Sequence, residues 1–553
     1  ELERARTKHE LAFISGLERI GGFGGKADQL ARYNTYLGNP DMFDADLERY
    51  RKASTESVKA SFARWLDTRN RLLMRFFPEQ SGRESQTRLD RTKAPVPGKD
   101  RAFTIPVVKS AVLSNGLRLF VVEKHELPKV SVSLIVKGGL SVEPLEKAGV
   151  ATLTLKTIDK GTKTRSALQI EQELADLGTE LARSGQREWI TLTMDVLKRN
   201  LNRALDILGD VAMHPTFSAE ELDRERKKHL DDLLQEQQSP NRISRRLVPI
   251  LAFGPANPYG HAVLGDESSI NSLAPDDLKK FHARLWQPGA AAAIVAGDVT
   301  LDEAKALCEK VFGDWSGAGE ATAELPKIEP ATPGKVYLVD RQDAAQTNVS
   351  LLLPGIRRDS PDYYALKIVD AIFGGAFGTR LNLNLREAKG YSYGVFSYPA
   401  VLTQAGYWEA TGGVQTKVTR ESLVEFLKEL DGMAGARPIT RKELDEAKAN
   451  RIRGYAQAFE TLGKLSARIG ELFAQNRPLT DLAAEPGELE KITLEKANEI
   501  AKKYARKDRA QLLLIGDARK IEAGVRELGF GEVVRLDARG KRLAQKPGPV
   551  KGE

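Results

Sequence analysis

One cysteine, Cys308, serves 553 residues, so the chain can neither close a disulfide on itself nor build a cysteine zinc cluster. Its place in LDEAKALCEKVF, at helix-core spacing, predicts a buried structural thiol. No apolar run approaches the ~18 residues of a membrane span, and no signal peptide is visible. The chain starts at Glu1 rather than Met, which leaves open a targeting segment lost with whatever preceded it. Histidine is scarce too. None of His9, His125, His214, His229, His261 and His282 falls in an H-x-x-E-H or H-E-x-x-H pattern. His125 reads as an exposed loop residue and His229, on a charged helix, as a surface one. A Walker loop, a G-x-S-x-G elbow and a Cys–His arrangement are also missing. Taken alone, the chain has no recognisable catalytic centre. Its net charge of +8 is spread along the sequence without an aromatic-studded basic groove, so nucleic-acid binding has no support.

What is present is repetition. With 41% hydrophobic and 29% charged residues the composition is that of an ordinary soluble protein, long enough for three or four domain-sized units. HPTFSAEELDRERKKHLDDLL (from His214) and RPITRKELDEAKANRIRGYA (from Arg437) each carry an S/T-x-x-E capping box, Ser218 with Glu221 and Thr440 with Glu443. Each opens a long charged helix, followed by a second helix, a third, and an apolar strand. The strands are AAAAIVAGD, ending at Asp298, and AQLLLIGD, ending at Asp517. Glu221 to Gly297 is 76 residues, and Glu443 to Gly516 is 73. A third copy opens the chain at its own Glu-Leu and runs through TESVKASFARWL to RNRLLMRFFPE.

Two complete units lie between these endings. Each starts with a strand pair, LRLFVVEKH with KVSVSLIVKGG and KVYLVDR with TNVSLLLPG. A helix follows, AGVATLTLKTIDKG or YYALKIVDAIFGG, then a second helix and further strands such as REWITLTMDV and GYWEATGGV. This order predicts α+β sandwiches, each a largely antiparallel sheet with helices on one face. The expected divisions are residues 1–90, the tail of a preceding domain; 91–105, a linker; 106–322 and 323–540, the complete domains; and 541–553, a disordered tail.

The stretch Phe373–Tyr393, FGGAFGTRLNLNLREAKGYSY, stands apart. Gly374, Gly375 and Gly378 suggest a turn through positive φ or a close backbone approach, running into a short helix that carries Arg386. Arg386 offers a planar fork for carboxylates or peptide carbonyls, and Tyr393 a hydroxyl on a rigid ring. Two readings fit these residues. In one, Arg386 pairs with Glu387 or a neighbour and the tyrosines are core; in the other, the pair faces a ligand.

GGAFGTRLNLNLREAKGYSYG resembles the arginine–tyrosine motif in the C-terminal lobe of the pitrilysin/insulinase family of zinc metallopeptidases. The resemblance implies a LuxS/MPP-like metallopeptidase fold and a lobe of a clam-shell chamber. It implies that Arg386, Tyr393, Gly374 and Gly375 bind peptide substrate. It also marks the family's zinc helix, which should carry H-x-x-E-H, at GVATLTLKTIDKGT. There the metal-binding and base positions hold Thr152, Leu155 and Lys156, with a distal ligand surviving as Glu225. Thr is a poor zinc ligand, Leu takes no proton and an ammonium repels the metal. The expectation is a non-zinc C-terminal part of a peptidase that binds no zinc itself. A zinc-bearing N-terminal lobe or subunit with H-x-x-E-H would complete it. The alternative is an inactive scaffold or peptide-binding subunit. The resemblance further implies a periplasmic setting, with the cytoplasm as the alternative.

Overall fold

Alternation of apolar side chains builds two sheets of one design. The structure, a computed structural model, describes residues 1–66, 72, 74, 103–317 and 333–544. The first sheet contains β1 (Lys109–Val112), β2 (Arg118–Glu123), β3 (Lys129–Lys137), β4 (Ala182–Gly185), β5 (Trp189–Leu197) and β6 (Ala291–Gly297), in the order β1-β2-β6-β3-β5-β4. The second contains β7 (Lys335–Asp340), β8 (Gln346–Pro354), β9 (Ser392–Val401), β10 (Gly406–Gln415), β11 (Gln511–Gly516) and β12 (Glu532–Leu536), in the order β12-β7-β11-β8-β10-β9. Five strands correspond one to one, as the repeat requires. Neighbours are antiparallel except β2 with β6, β7 with β11 and β7 with β12.

The expected α+β architecture holds, but helices cover both faces of the second sheet rather than one. Leu338, Val349, Leu351, Leu512 and Leu514 pack against the helices Tyr363–Phe373 and Thr419–Ala434. The alternate residues Tyr337, Val339, Leu352, Leu513 and Ile515 meet Ile243, Leu247 and Val248 of the helix Pro240–Phe253. That helix comes from the first half of the chain. The exchange is reciprocal: Phe120, Val122, Ile135 and Ile294 of the first sheet pack against Leu465, Ile469, Leu472 and Phe473 of the helix Leu462–Ala474, from the second half. Strands such as β6 and β11, buried along their whole length, are the physical counterpart of two covered faces. Both sheets therefore belong to one packed unit, Ile105–Leu174 with Thr179–Glu553.

Capping follows the sequence unevenly. Thr440 and Glu443 close a full capping box on the helix Arg441–Gly454. At Ser218 only half forms: the hydroxyl accepts from the Glu221 amide, while the Glu221 carboxylate pairs with Arg224. Cys308 is fully buried, and burial pushes its thiol up to about 12.

The other unit, Glu1–Thr104 with Ala175–Gly178, contains the helices Leu2–Gly16, Lys26–Leu37, Phe43–Arg51 and Thr55–Trp65. Phe43 joins the first three, its ring 6.3 Å from Phe13 and 5.3 Å from Tyr33, both edge-on. Tyr33 donates to Asp46 at 2.7 Å, and Arg51 to Glu10 at 2.6 Å. Most of the expected strand RNRLLMRFFPE, most of the expected linker 91–105 and the tail from residue 545 lie outside the described residues. Among the described residues no helix is long and apolar enough to cross a membrane.

Candidate functional site

The glycine-rich turn is held by a buried carboxylate. Asp370, in the last turn of the helix Tyr363–Phe373, accepts from Ser397 Oγ at 2.6 Å, Trp408 Nε1 at 2.9 Å and Arg451 at 3.3 Å. Burial pushes its carboxyl up to about 6 in spite of these donors. The amides of Gly374 and Gly375 both bond the Asp370 carbonyl, and the Ser397 amide bonds that of Gly374, which ties the turn to β9. Close approach explains these glycines. A Cβ at Gly374 would lie 2.7 Å from Ser397 Oγ, and one at Gly375 would lie 2.7 Å from Asp370 Oδ2. The expected positive φ is not found at Gly374, Gly375 or Gly378.

A short helix, Arg380–Asn382, continues into a π-helical turn, Leu383–Ala388, that presents Arg386. Its walls are firmly held. Arg380 forks onto Glu443 at 2.6 and 2.8 Å, Asn384 donates to Glu425 and Glu429, and buried Asn382 accepts from the Val395 amide. Arg386 lies between two rings, its Cζ 4.2 Å from the Phe377 centroid and 5.0 Å from that of Tyr393. Glu387, at 3.4 Å, is its ion-pair partner, as the first reading of the sequence expects. The other half of that reading fails at Tyr393: this tyrosine is 84% exposed, and its hydroxyl has no partner among the described residues. With Phe377, Leu383 and Phe396 half exposed nearby in the chain, the motif presents a stacked guanidinium, a free phenol and apolar surface. Such a set can bind peptide carbonyls or a carboxylate beside an apolar side chain.

The helix Val150–Thr157 holds the positions marked for zinc. Glu143, buried beneath its N-terminus, accepts from the amides of Gly149 and Ala151 and from His261 Nε2 at 2.7 Å. Thr152 donates to the Val263 carbonyl at 2.8 Å, and Leu155 is buried. The Lys156 ammonium reaches Asp232 at 2.7 Å and His229 Nδ1 at 3.0 Å. His229 is not a surface residue. It is 1% exposed, and its Nε2 donates to the Leu264 carbonyl at 2.8 Å. The Nδ1 lone pair is then free to accept from Lys156. Desolvation holds the His229 pKa below its ordinary value, while the hydrogen bond from Lys156 holds Asp232 below the usual carboxylate range. Glu225, one turn before His229 on the helix Ala219–Glu236, is buried and receives Lys228 at 2.8 Å.

These residues do not fit zinc. The nitrogen and carboxylate best placed to face a cation already share the Lys156 ammonium, and the base position is an apolar side chain. Among the described residues no group of three or more His, Cys, Asp or Glu stands ready to hold a metal ion. Sequence reasoning overlooked His229 and Asp232. Glu225, His229 and Asp232 follow one another at steps of four and three, which places them on one helix face, and that spacing was the available signal.

Comparison with known proteins assigns both halves of the chain to one family. The Insulinase (Peptidase family M16) model matches residues 118–260, and the Peptidase M16 inactive domain model matches residues 272–451. The chain is 26% identical over 416 residues to the "Uncharacterized zinc protease YmxG" of Bacillus subtilis, covering 74% of this chain and 98% of that one. It is 24% identical over 400 residues to the "Non-peptidase homolog YmxG" of Helicobacter pylori, covering 72% and 91%. Among solved structures, a peptidase M16 inactive domain from Pseudomonas fluorescens superposes with a TM-score of 0.68 at 25% identity, over 74% of this chain and 98% of that one. With two sheets of one order, a motif turn of this composition and two family models placed end to end along them, the chain belongs to the insulinase, or M16, family of peptidases.

Proposed function

We propose that this chain is the non-zinc part of a metallopeptidase, which closes the substrate chamber and holds peptide while zinc sits in another lobe or subunit bearing H-x-x-E-H. The observation that carries the reading is the state of Arg386, braced against Phe377 and Tyr393 yet paired, among the described residues, only with Glu387, and with the Tyr393 hydroxyl unspent among them. A guanidinium held in place loses little entropy when a peptide carbonyl or carboxylate arrives. Gly374 and Gly375 serve this role by setting the turn that carries the motif. The chain itself supplies binding and orientation, and no chemical step is assigned to its residues. A periplasmic setting is part of the proposal.

A second reading, a catalytically inactive peptide-binding scaffold, is favoured by the Lys156–Asp232–His229 set, which gives the degenerate helix a finished internal structure. Intact mass and metal content of the protein from its natural source separate the two. A co-purifying fragment with about one zinc per complex supports the first reading; a lone zinc-free chain supports the second. For either, Arg386→Ala should weaken binding of a fluorescent unfolded peptide by ~30-fold, the scale of an interface hot spot, and Tyr393→Phe by less. Unchanged affinity in both variants removes the motif from peptide recognition.

A further inference from the structure

A cavity of about 810 Å³ opens at one end of the second sheet, within the size range of small-molecule sites. It lies where both exchanged helices finish, at Phe253 and just past Ala474, and where β10 begins with Gly406 and Tyr407. The Arg–Tyr motif sits at the other end of β10, since Ser392 pairs with Val414. Tyr407 and Val414 are seven steps apart along the extended strand, ~24 Å at the usual rise. The two places share no residue.

Part of the lining is polar and buried: Gln475, Gln511 and Arg358 are 5%, 4% and 6% exposed and frame the wall around any occupant. Charge gives its sign. Arg357, Arg358, Arg477 and Arg509 line the cavity; Arg357 forks onto Asp359, while Arg358 and Arg477 share Asp481 at 3.6 and 2.7 Å. Four guanidinium groups thus face two carboxylates, an excess of two positive charges. Arg358 is further braced over the Tyr363 ring at 3.9 Å, and exposed Arg509 has no side-chain partner among the described residues. Phe253, Leu353, Pro354 and Tyr407 supply the apolar part of the lining.

We infer that this cavity is a binding site for a small organic anion, its carboxylate or phosphate head among the arginines and its apolar body against Phe253 and Tyr407. Guanidinium groups suit either head because both present paired oxygens.

Calorimetric titration of the full chain with phenylacetate, phenyl phosphate and inorganic phosphate tests the site. One of the two aromatic anions should bind, about tenfold more tightly than inorganic phosphate, and the tighter of them identifies the head group. Binding should weaken as salt rises. Arg509→Ser, at an exposed position that does not threaten folding, should weaken it about tenfold. The inference is overturned if neither aromatic anion binds at millimolar concentration, or if Arg509→Ser binds as the wild type does. Inorganic phosphate binding as tightly as phenyl phosphate would overturn the apolar half of the assignment.

Discussion

Replacing Phe473 by Ala should loosen both sheets, although the ring touches only one. Phe473 belongs to the second half of the chain and is 4% exposed in the core of the first sheet, its ring centroid 6.1 Å from that of Phe120. Lys137 Nζ and Arg118 Cζ lie 4.6 and 5.7 Å from its centroid. Truncation of a buried Phe costs about 3–5 kcal/mol. Each cation over the ring adds about 0.5–1 kcal/mol, the lower range suited to partly exposed groups. The sum rivals the whole stability of a typical protein, about 5–15 kcal/mol. Because the helix Pro240–Phe253 makes the reverse crossing, neither sheet keeps both covers once the other opens. Hydrogen exchange read by mass spectrometry, strand by strand, measures the effect without further mutations. The slow amides of β6 and β11 should lose protection by the same free energy. If β11 keeps its wild-type exchange while β6 gains several kcal/mol of opening, the halves unfold separately and the exchange of helices does not couple them.

Asp370 makes a pH prediction. Its carboxyl ionises near 3.8 unfolded and near 6 folded, so the folded state holds the extra proton between these values and stability falls as pH rises from about 4 to 6. The loss is about 3 kcal/mol at most, and Asp370→Asn should flatten that stretch of a denaturation-against-pH profile, leaving the variant no less stable than wild type at pH 8. A profile as steep as wild type would contradict it. Lys156→Met should cost about 1–3 kcal/mol at neutral pH for the donor lost to buried His229 Nδ1, and less for Asp232, which is half exposed and screened. Asp232 has a folded pKa below its unfolded value of 3.8, so its part of the contribution is present above 3.8 and vanishes as pH falls through the depressed value; the gap between denaturant midpoints of variant and wild type should narrow there. Zinc added to the chain alone should show no stoichiometric tight binding by competition against a chromogenic chelator. Tight binding would mean that Lys156 yields its place.

Much of the architecture was written in local signals. The strand pairs, the Thr440–Glu443 box and the two helix-to-strand endings are short-range patterns, and each appears where its residues stand. The motif turn was legible because Gly-Gly before a helix and an Arg–Tyr pair are unusual together. What escaped notice was of longer range. The apolar faces of ISRRLVPILAF and LGKLSARIGELFA announce buried helices, but an apolar stripe does not say which sheet it will meet. Gly374 and Gly375 were legible as necessary but not why: only the neighbouring Ser397 and Asp370 show that space, not φ, requires them. The cavity was invisible, since Gln475, Gln511 and the four arginines come from separate loops and strand ends.

His229 shows the physical reason in one residue. Its sequence neighbours are Lys227, Lys228, Asp231 and Asp232, which suggest solvent, yet its ring is buried between the Leu264 carbonyl and the Lys156 ammonium. Had Lys156 been a small apolar residue, His229 Nδ1 would be a buried acceptor without a donor, a loss of about 1–3 kcal/mol. The ammonium instead satisfies that nitrogen and the Asp232 carboxylate together, while Thr152 spends its hydroxyl on Val263 and Leu155 joins the core. The three substitutions are thus mutually compatible as a metal-free packing. Restoring His at position 156 alone would remove the donor, strand Asp232 and still leave no base at 155. The helix is therefore a finished structural element, and the two proposed binding places, Arg386 with Tyr393 and the arginine-lined cavity, lie elsewhere in the chain.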